Sequence, residues 1–228
     1  MQKRTILLGS YNTAEHGWTL TTLLLSDPLQ KTNYVEKTGG DGSWDLSTAQ
    51  TEGIPRYKNR TLTATLECSQ GTRSDREMLI NDMVNSLDGL EWQIVLPDRP
   101  EHYLLGRIHI TVNYSDLAHA MVTVTADVEP WLYSARETVV ELAAPITAST
   151  ETATFYLWNN GRKVVVPMLT VKGQASLSFN GASTSLSAGS YKWPALQLRP
   201  GENMLRYLGS MNGVGESITL TYREAVLR

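Results

Sequence analysis

Scarcity sets the first limits on this chain. Its 228 residues include a single cysteine, Cys68. An intramolecular disulfide is therefore excluded, and the fold must rest on burial, for which this length suffices: about two-thirds of the unfolded surface can leave water. No apolar run approaches the ~20 residues of a membrane helix. The opening MQKRTILLGSYN starts with basic residues, but its apolar stretch is too short for the core of a secretion signal, which predicts synthesis and folding in a cytoplasm. Basic runs are missing as well. Through Tyr133 there are 11 Lys/Arg against 17 Asp/Glu, and beyond it 9 against 6, for net charges of −6 and +3. Neither part has the cationic density that tight nucleic-acid binding requires.

Reactive residue types are scarce in a way that bears on function. From residue 134 to 228 there is no His, Asp or Cys. A hydrolytic triad, a zinc site or an aspartate-based calcium loop cannot be assembled within that stretch. The four histidines, His16, His102, His109 and His119, form neither an H-E-x-x-H nor an H-x-H pattern and read as solvated or locally bonded. Asp41-Gly42-Ser43-Trp44-Asp45 resembles a calcium loop but lacks its alternating acidic ligands, so a tight turn is expected. Gly209, Gly213 and Gly215 precede no Lys-Ser/Thr and form no phosphate loop. Glu129, before Pro130, is a lone carboxylate. No catalytic, metal or cofactor residues emerge, and the chain does not read as an enzyme.

What is present is alternation. Leu62, Ala64, Leu66 and Cys68 interleave with Thr61, Thr63, Thr65 and Glu67; Ile108, Ile110 and Val112 with polar residues; Val122, Val124, Ala126 and Val128 likewise; and so do Ile218, Leu220 and Tyr222. Successive strand residues point to opposite faces, so each run predicts a strand with one buried side, and the threonines favour it. Cys68 shares the apolar parity and is expected to be a buried, inert thiol. One segment departs from period two. Ser74-Asp75-Arg76-Glu77 has the form of a capping box, Met78, Leu79, Met83, Val84 and Leu87 follow at helical spacing, and Gly89 suits a left-handed C-terminal position. A helix over Asp75 to Asp88, packed on a sheet, is predicted.

Beyond residue 134 turn signals crowd together. Asn160-Gly161 and Asn180-Gly181 suit type I′ hairpins, while Pro200-Gly201 and Gly213-Val214-Gly215 mark loops. Short apolar runs lie between them, which argues a β-sandwich. The chain is thus read as mainly β: residues 1–133 as β with one helix, and 134–228 as all-β. Trp158 and Trp193 fall in the sandwich, either as packing residues or as platforms on which a sugar ring could stack.

The order of these motifs resembles the distal tail protein family of long, non-contractile tailed phages. Lys31-Thr32-Asn33-Tyr34-Val35 with Gly40-Asp41-Gly42-Ser43-Trp44-Asp45-Leu46-Ser47, then Tyr57-Lys58-Asn59-Arg60-Thr61-Leu62, match the family's early signatures. Leu87-Asp88-Gly89, Tyr103 to Arg107, Glu129-Pro130-Trp131 and the closing stretches from Leu198 and Ile218 continue the match. Asp88 stands where the family usually has His, and Trp44 where a smaller residue is common. The resemblance implies an N-terminal domain (1–133) of two sheets and one helix that forms a hexameric ring, and a C-terminal galectin-like sandwich (134–228). It implies a virion structural subunit of a phage or prophage tail tip, with the tail tube protein, a tail-tip hub protein, and receptor-binding or other baseplate subunits as partners. DNA would pass only transiently, no membrane is involved, and no cofactor is needed. Galectin sites use a histidine and an Asn-Pro-Arg run, and this sandwich has neither.

Ring closure needs complementary head-to-tail surfaces or strand edges. The candidates are Gly42, Ser43, Trp44, Asp45, Leu46 and Ser47, together with Arg60, Leu62, Ala64 and Leu66 of the following strand. The acidic surplus of the first part either lines a channel and repels DNA phosphates or is spread evenly over a solvated surface. The alternative function is a carbohydrate-binding module of a cell-wall or host-adhesion system, with Trp158 and Trp193 as its stacking residues.

Overall fold

The computed structural model describes residues 5–113, 119–142, 153–208 and 217–228. They fall into two compact units, Met1–Trp131 and Leu132–Arg228.

The first unit comprises β1 (Leu7–Leu8), β2 (Tyr11–Asn12), β3 (Thr19–Leu25), β4 (Tyr34–Glu36), β5 (Ser43–Asp45), β6 (Arg60–Cys68), α1 (Arg73–Leu87), β7 (Glu91–Val95), β8 (His102–Asn113) and β9 (Ala120–Val128). Its main sheet has the order β2-β1-β7-β8-β9-β6-β3, and β4 and β5 form a second, two-stranded sheet. The period-two pattern sits where it was predicted. Leu62, Ala64 and Leu66 on β6, Ile108 on β8, and Val122, Val124 and Val128 on β9 are all fully buried, and Cys68 lies beside them as a free, buried thiol. Antiparallel register brings Leu62 opposite Ala126 and Ala64 opposite Val124, so the small and branched side chains of one face meet.

Helix α1 forms, but it starts earlier than predicted. Thr72 is the N-cap: its side chain accepts from the Asp75 N–H, and the Asp75 carboxylate accepts from the Thr72 N–H at 2.8 Å. Two overlapping boxes exist in the sequence, and the one preceded by Gly71, at φ +77°, is used; Ser74 lies within the first turn. Ile80, Met83 and Leu87 form the buried stripe, whereas Met78 is 61% exposed and lies outside it. Gly89 takes φ +73° as expected, and its N–H donates to Ile108 O.

The second unit contains β10 (Leu132–Ser134), β11 (Thr138–Leu142), β12 (Ala153–Asn159), β13 (Met168–Lys172), β14 (Ala175–Phe179), β15 (Ala182–Leu186), β16 (Gly189–Lys192), β17 (Gly201–Leu208), β18 (Ser217–Tyr222) and β19 (Ala225–Val226). It is a sandwich of two four-stranded sheets, β11-β18-β13-β16 and β12-β17-β14-β15, with β10 paired to β19. Leu157, Leu177 and Leu205 from one sheet and Leu169, Leu220 and Tyr222 from the other share one apolar core. Asn180 and Gly181 both have positive φ between β14 and β15, as a type I′ hairpin demands.

Asn160-Gly161 does not form the predicted hairpin. Neither residue is among those with positive φ, and β12 pairs with β17 instead. Gly161 is needed for a different reason: a Cβ there would lie 2.7 Å from both the N and the O of Ala225. The neighbouring Asn159 side chain is fully buried; its amide donates to Lys163 O (2.8 Å) and Leu198 O (3.0 Å), and its oxygen accepts from Gly161 N–H (3.0 Å). The predicted loop Gly213-Val214-Gly215, with Gly209, lies outside the described residues.

Candidate assembly surface

Between β3 and β6 the chain makes a long excursion, and not one residue from 27 to 59 is buried. Its base prolongs the β3–β6 ladder: Ser26 N–H donates to Thr61 O, Lys58 N–H to Leu29 O and Lys31 N–H to Arg56 O. Beyond that stalk stands the β4–β5 hairpin, with Tyr34 opposite Asp45 and Val35 opposite Trp44. The hairpin is fastened locally. Leu46 N–H donates to Asn33 O, Asn33 N–H to Ser47 Oγ (2.8 Å), and Ser47 N–H to Asp45 Oδ1 (2.9 Å). Hydrogen bonding from Ser47, side chain first and then backbone, holds the Asp45 carboxyl below the usual aspartate range. Gly42 takes φ +78° in the connecting turn, but of the stretch expected to be a tight turn only Asp41 and Gly42 belong to it, and Ser43–Asp45 form β5. Among the described residues no group of three or more His, Cys, Asp or Glu could hold a metal ion.

This arm is ordered by backbone bonds yet has no core of its own. Leu29 (61% exposed), Tyr34 (61%), Val35 (46%), Trp44 (60%) and Leu46 (42%) present large apolar side chains to solvent. Lys37 Nζ sits 4.9 Å from the Trp44 ring centroid, which leaves most of that ring open. A lone two-stranded hairpin is marginal in water, and clustered exposed apolar groups mark interaction surfaces.

Of the predicted contact residues, Gly42, Ser43, Trp44, Asp45, Leu46 and Ser47 lie together on this arm. The strand residues are placed differently. β6 runs between β9 and β3, so both its edges are occupied, and Arg60 (5% exposed), Leu62, Ala64 and Leu66 point into their own unit. Arg60 Nε donates to Ser26 O at 2.6 Å and secures the root of the arm. In the main sheet, among the described residues, the long edge strand is β3, whose TLTTLLL does not alternate; a register shift lies between Leu20 and Thr22. Leu24 there is 63% exposed. In the sandwich, Trp193 packs against the core and Trp158 is 55% exposed.

Among the described residues the chain is a two-unit β protein with one helix, an all-β second unit and an exposed arm. The sequence matches no protein-family profile and no curated protein. Among solved structures it is similar to the crystal structure of the SPP1 Dit (gp 19.1) protein, with a TM-score of 0.67 at 15% identity over 97% of this chain and 99% of that one. That protein is described as a paradigm of the hub adsorption apparatus in phages infecting Gram-positive bacteria. The phage p2 baseplate in its activated conformation with Sr aligns at a TM-score of 0.44 and 8% identity, a level that decides nothing. The chain therefore has the fold of a distal tail protein.

Proposed function

We propose that this protein is a structural subunit of a phage tail tip. Six copies close into a ring that joins the tail tube to the tip and its receptor-binding parts and leaves a channel for DNA. The observation that carries this reading is the arm: residues 27–59 are ordered, none is buried, and five large apolar side chains wait for cover that their own unit does not supply. A protruding arm that seats on the next copy is a head-to-tail contact, and such contacts close into rings when the rotation allows. The Dit-like fold supports the same role.

The ring places the first unit at the bore, where its acidic surplus keeps DNA phosphates from adhering. A neutral or positive bore in an assembled ring would rule that out. The reading assigns no chemistry to the chain: its partners are copies of itself, the tail tube, and the hub and receptor-binding proteins.

Negative-stain imaging with light scattering tests the assembly. The wild-type chain, alone or with its tail-tube partner, should give a six-fold annulus. Trp44→Ser combined with Leu46→Ser should abolish the annulus while leaving the thermal midpoint within a few degrees. An annulus that survives both substitutions would refute the arm as the contact, and a monomer under all conditions, partner included, would refute the ring.

A further inference from the structure

The outer face of sheet β12-β17-β14-β15 carries a second set of uncovered aromatics. Phe155, Leu157 and Asn159 of β12 point inward, which turns Tyr156 (61% exposed) and Trp158 (55% exposed) outward on the same side. Two residues along a strand separate their attachment points by about 7 Å. Register with β17 sets Met204 beside Tyr156 and Glu202 beside Trp158, with Arg206 one pair further on, opposite Thr154. Glu202 and Arg206 thus flank the aromatic pair, about 13 Å apart along their strand.

We propose that this face is a polysaccharide-binding site. Pyranose rings have apolar C–H faces that lie on aromatic rings and hydroxyl rims that pair with planar polar groups. Tyr156 and Trp158 supply the first, and the Glu202 carboxylate and Arg206 guanidinium supply the second, each able to engage neighbouring hydroxyls in a fork. All four side chains lack protein partners: no hydrogen bond or ion pair engages the Tyr156 hydroxyl, the Trp158 indole, Glu202 or Arg206 among the described residues. The platform is also rigid. Tyr222 Oη donates to Trp158 O at 2.6 Å, and the buried Asn159 pins the next residue with three hydrogen bonds, so little ordering remains to be done when a ligand arrives.

The rest of the face favours a sugar over a protein partner. Next to Arg206 it continues as a low shelf of serines, with Ser178 beside Arg206 and Ser183 beyond it, and with Ser176 and Ser185 joined through their hydroxyls at 2.9 Å. Tyr, Trp, Met and Arg are also common at protein interfaces, but serine and glutamate are depleted there, and a hydroxyl-lined shelf accepts a hydrated glycan chain. Galectin-type residues play no part, and the site does not depend on ring formation.

Affinity electrophoresis of the full chain tests this, using native gels that contain laminarin, yeast mannan, hydroxyethylcellulose or a purified Gram-positive cell-wall polysaccharide. At least one polymer should retard the protein. Trp158→Ala and Tyr156→Ala should each weaken binding by about tenfold, Arg206→Ala by less, and Trp158→Phe should retain most of it. Both aromatics are solvent-exposed, so their thermal midpoints should stay at the wild-type value and separate loss of binding from loss of fold. No retardation in any of the four gels overturns the proposal, as does retardation unchanged in both alanine variants. Absence of retardation together with loss of self-association in Trp158→Ala would reassign the face to a protein contact.

Discussion

Replacing Asn159 with alanine isolates one buried polar group whose partners can be followed individually. Three hydrogen bonds disappear, but they are not equal. Leu198 O keeps a second donor, the Val165 N–H at 3.1 Å, and suffers little. Gly161 N–H is buried and loses its acceptor outright, and Lys163 O, in a part-buried position, loses the Asn159 amide. An orphaned buried group costs about 1–3 kcal/mol, and the emptied side-chain volume adds to it, so a total of about 3–4 kcal/mol follows. For a unit of this size each kcal/mol lowers the midpoint by about 4–8 °C, which gives a drop of roughly 12–30 °C. Urea or thermal unfolding, with hydrogen exchange of β14 and β18 amides reporting on the sandwich alone, measures it. The adjacent Asn160→Ala is the control, because that side chain makes only an exposed bond to Glu224 (3.0 Å) and should cost less than about 1 kcal/mol. If the two variants unfold within a few degrees of each other, the reasoning from buried partners is wrong.

Other expectations concern both units. Gly106→Ala places a Cβ 2.5 Å from Asp127 O and 2.7 Å from Val128 Cα across the β8–β9 ladder, where backbone cannot yield; a loss of about 3 kcal/mol by denaturant titration is expected. Thr72→Ala should cost about 1 kcal/mol through the lost cap and show as early fraying of α1 in hydrogen exchange. Asp75 has its carboxyl depressed first by the Thr72 N–H and then by the Thr72 side chain. Its contribution to stability is therefore complete above the unfolded-state value and is lost as pH falls through the lower folded one; an NMR titration should place its midpoint below that of a free aspartate and move it upward in Thr72→Ala. Tyr222→Phe removes the hydroxyl bonded to Trp158 O; its ionisation is raised by burial and then by Glu224, so in the wild type it should titrate above ordinary tyrosines in an absorbance titration.

Local chemistry explains what could be read before the structure. Strands β6, β8, β9 and β18 announce themselves because each buries one face, so side-chain parity records the sheet directly. The helix announces itself through its change of period, but its first residue does not: Ser74 heads the consensus box with Glu77, yet the cap that forms is Thr72 with Asp75, just after the positive-φ Gly71. Asn160-Gly161 misled because the demand on Gly161 comes from Ala225, more than sixty positions later, and no local pattern encodes a close approach between distant backbones. Leu62, Ala64 and Leu66 lie buried on a strand with both neighbours in place, because alternation says that a strand has an inside, not whether its edges are free. Trp158 and Trp193 look alike in sequence, and only the register of β12 sends one outward with Tyr156. The arm was legible as a motif, since Gly42 to Ser47 drew notice, but its nakedness is visible only once every neighbour is known.

The two ends of the main sheet are unlike. One terminates in the seven-residue β3, whose far side pairs with nothing among the described residues, and the other in β2, a stub of two residues. Along this strand order a visiting strand finds a long rim at β3 and only a two-residue stub at β2. Addition of one β3 to another β3 would stop at a pair, and a longer series of copies would need a further contact.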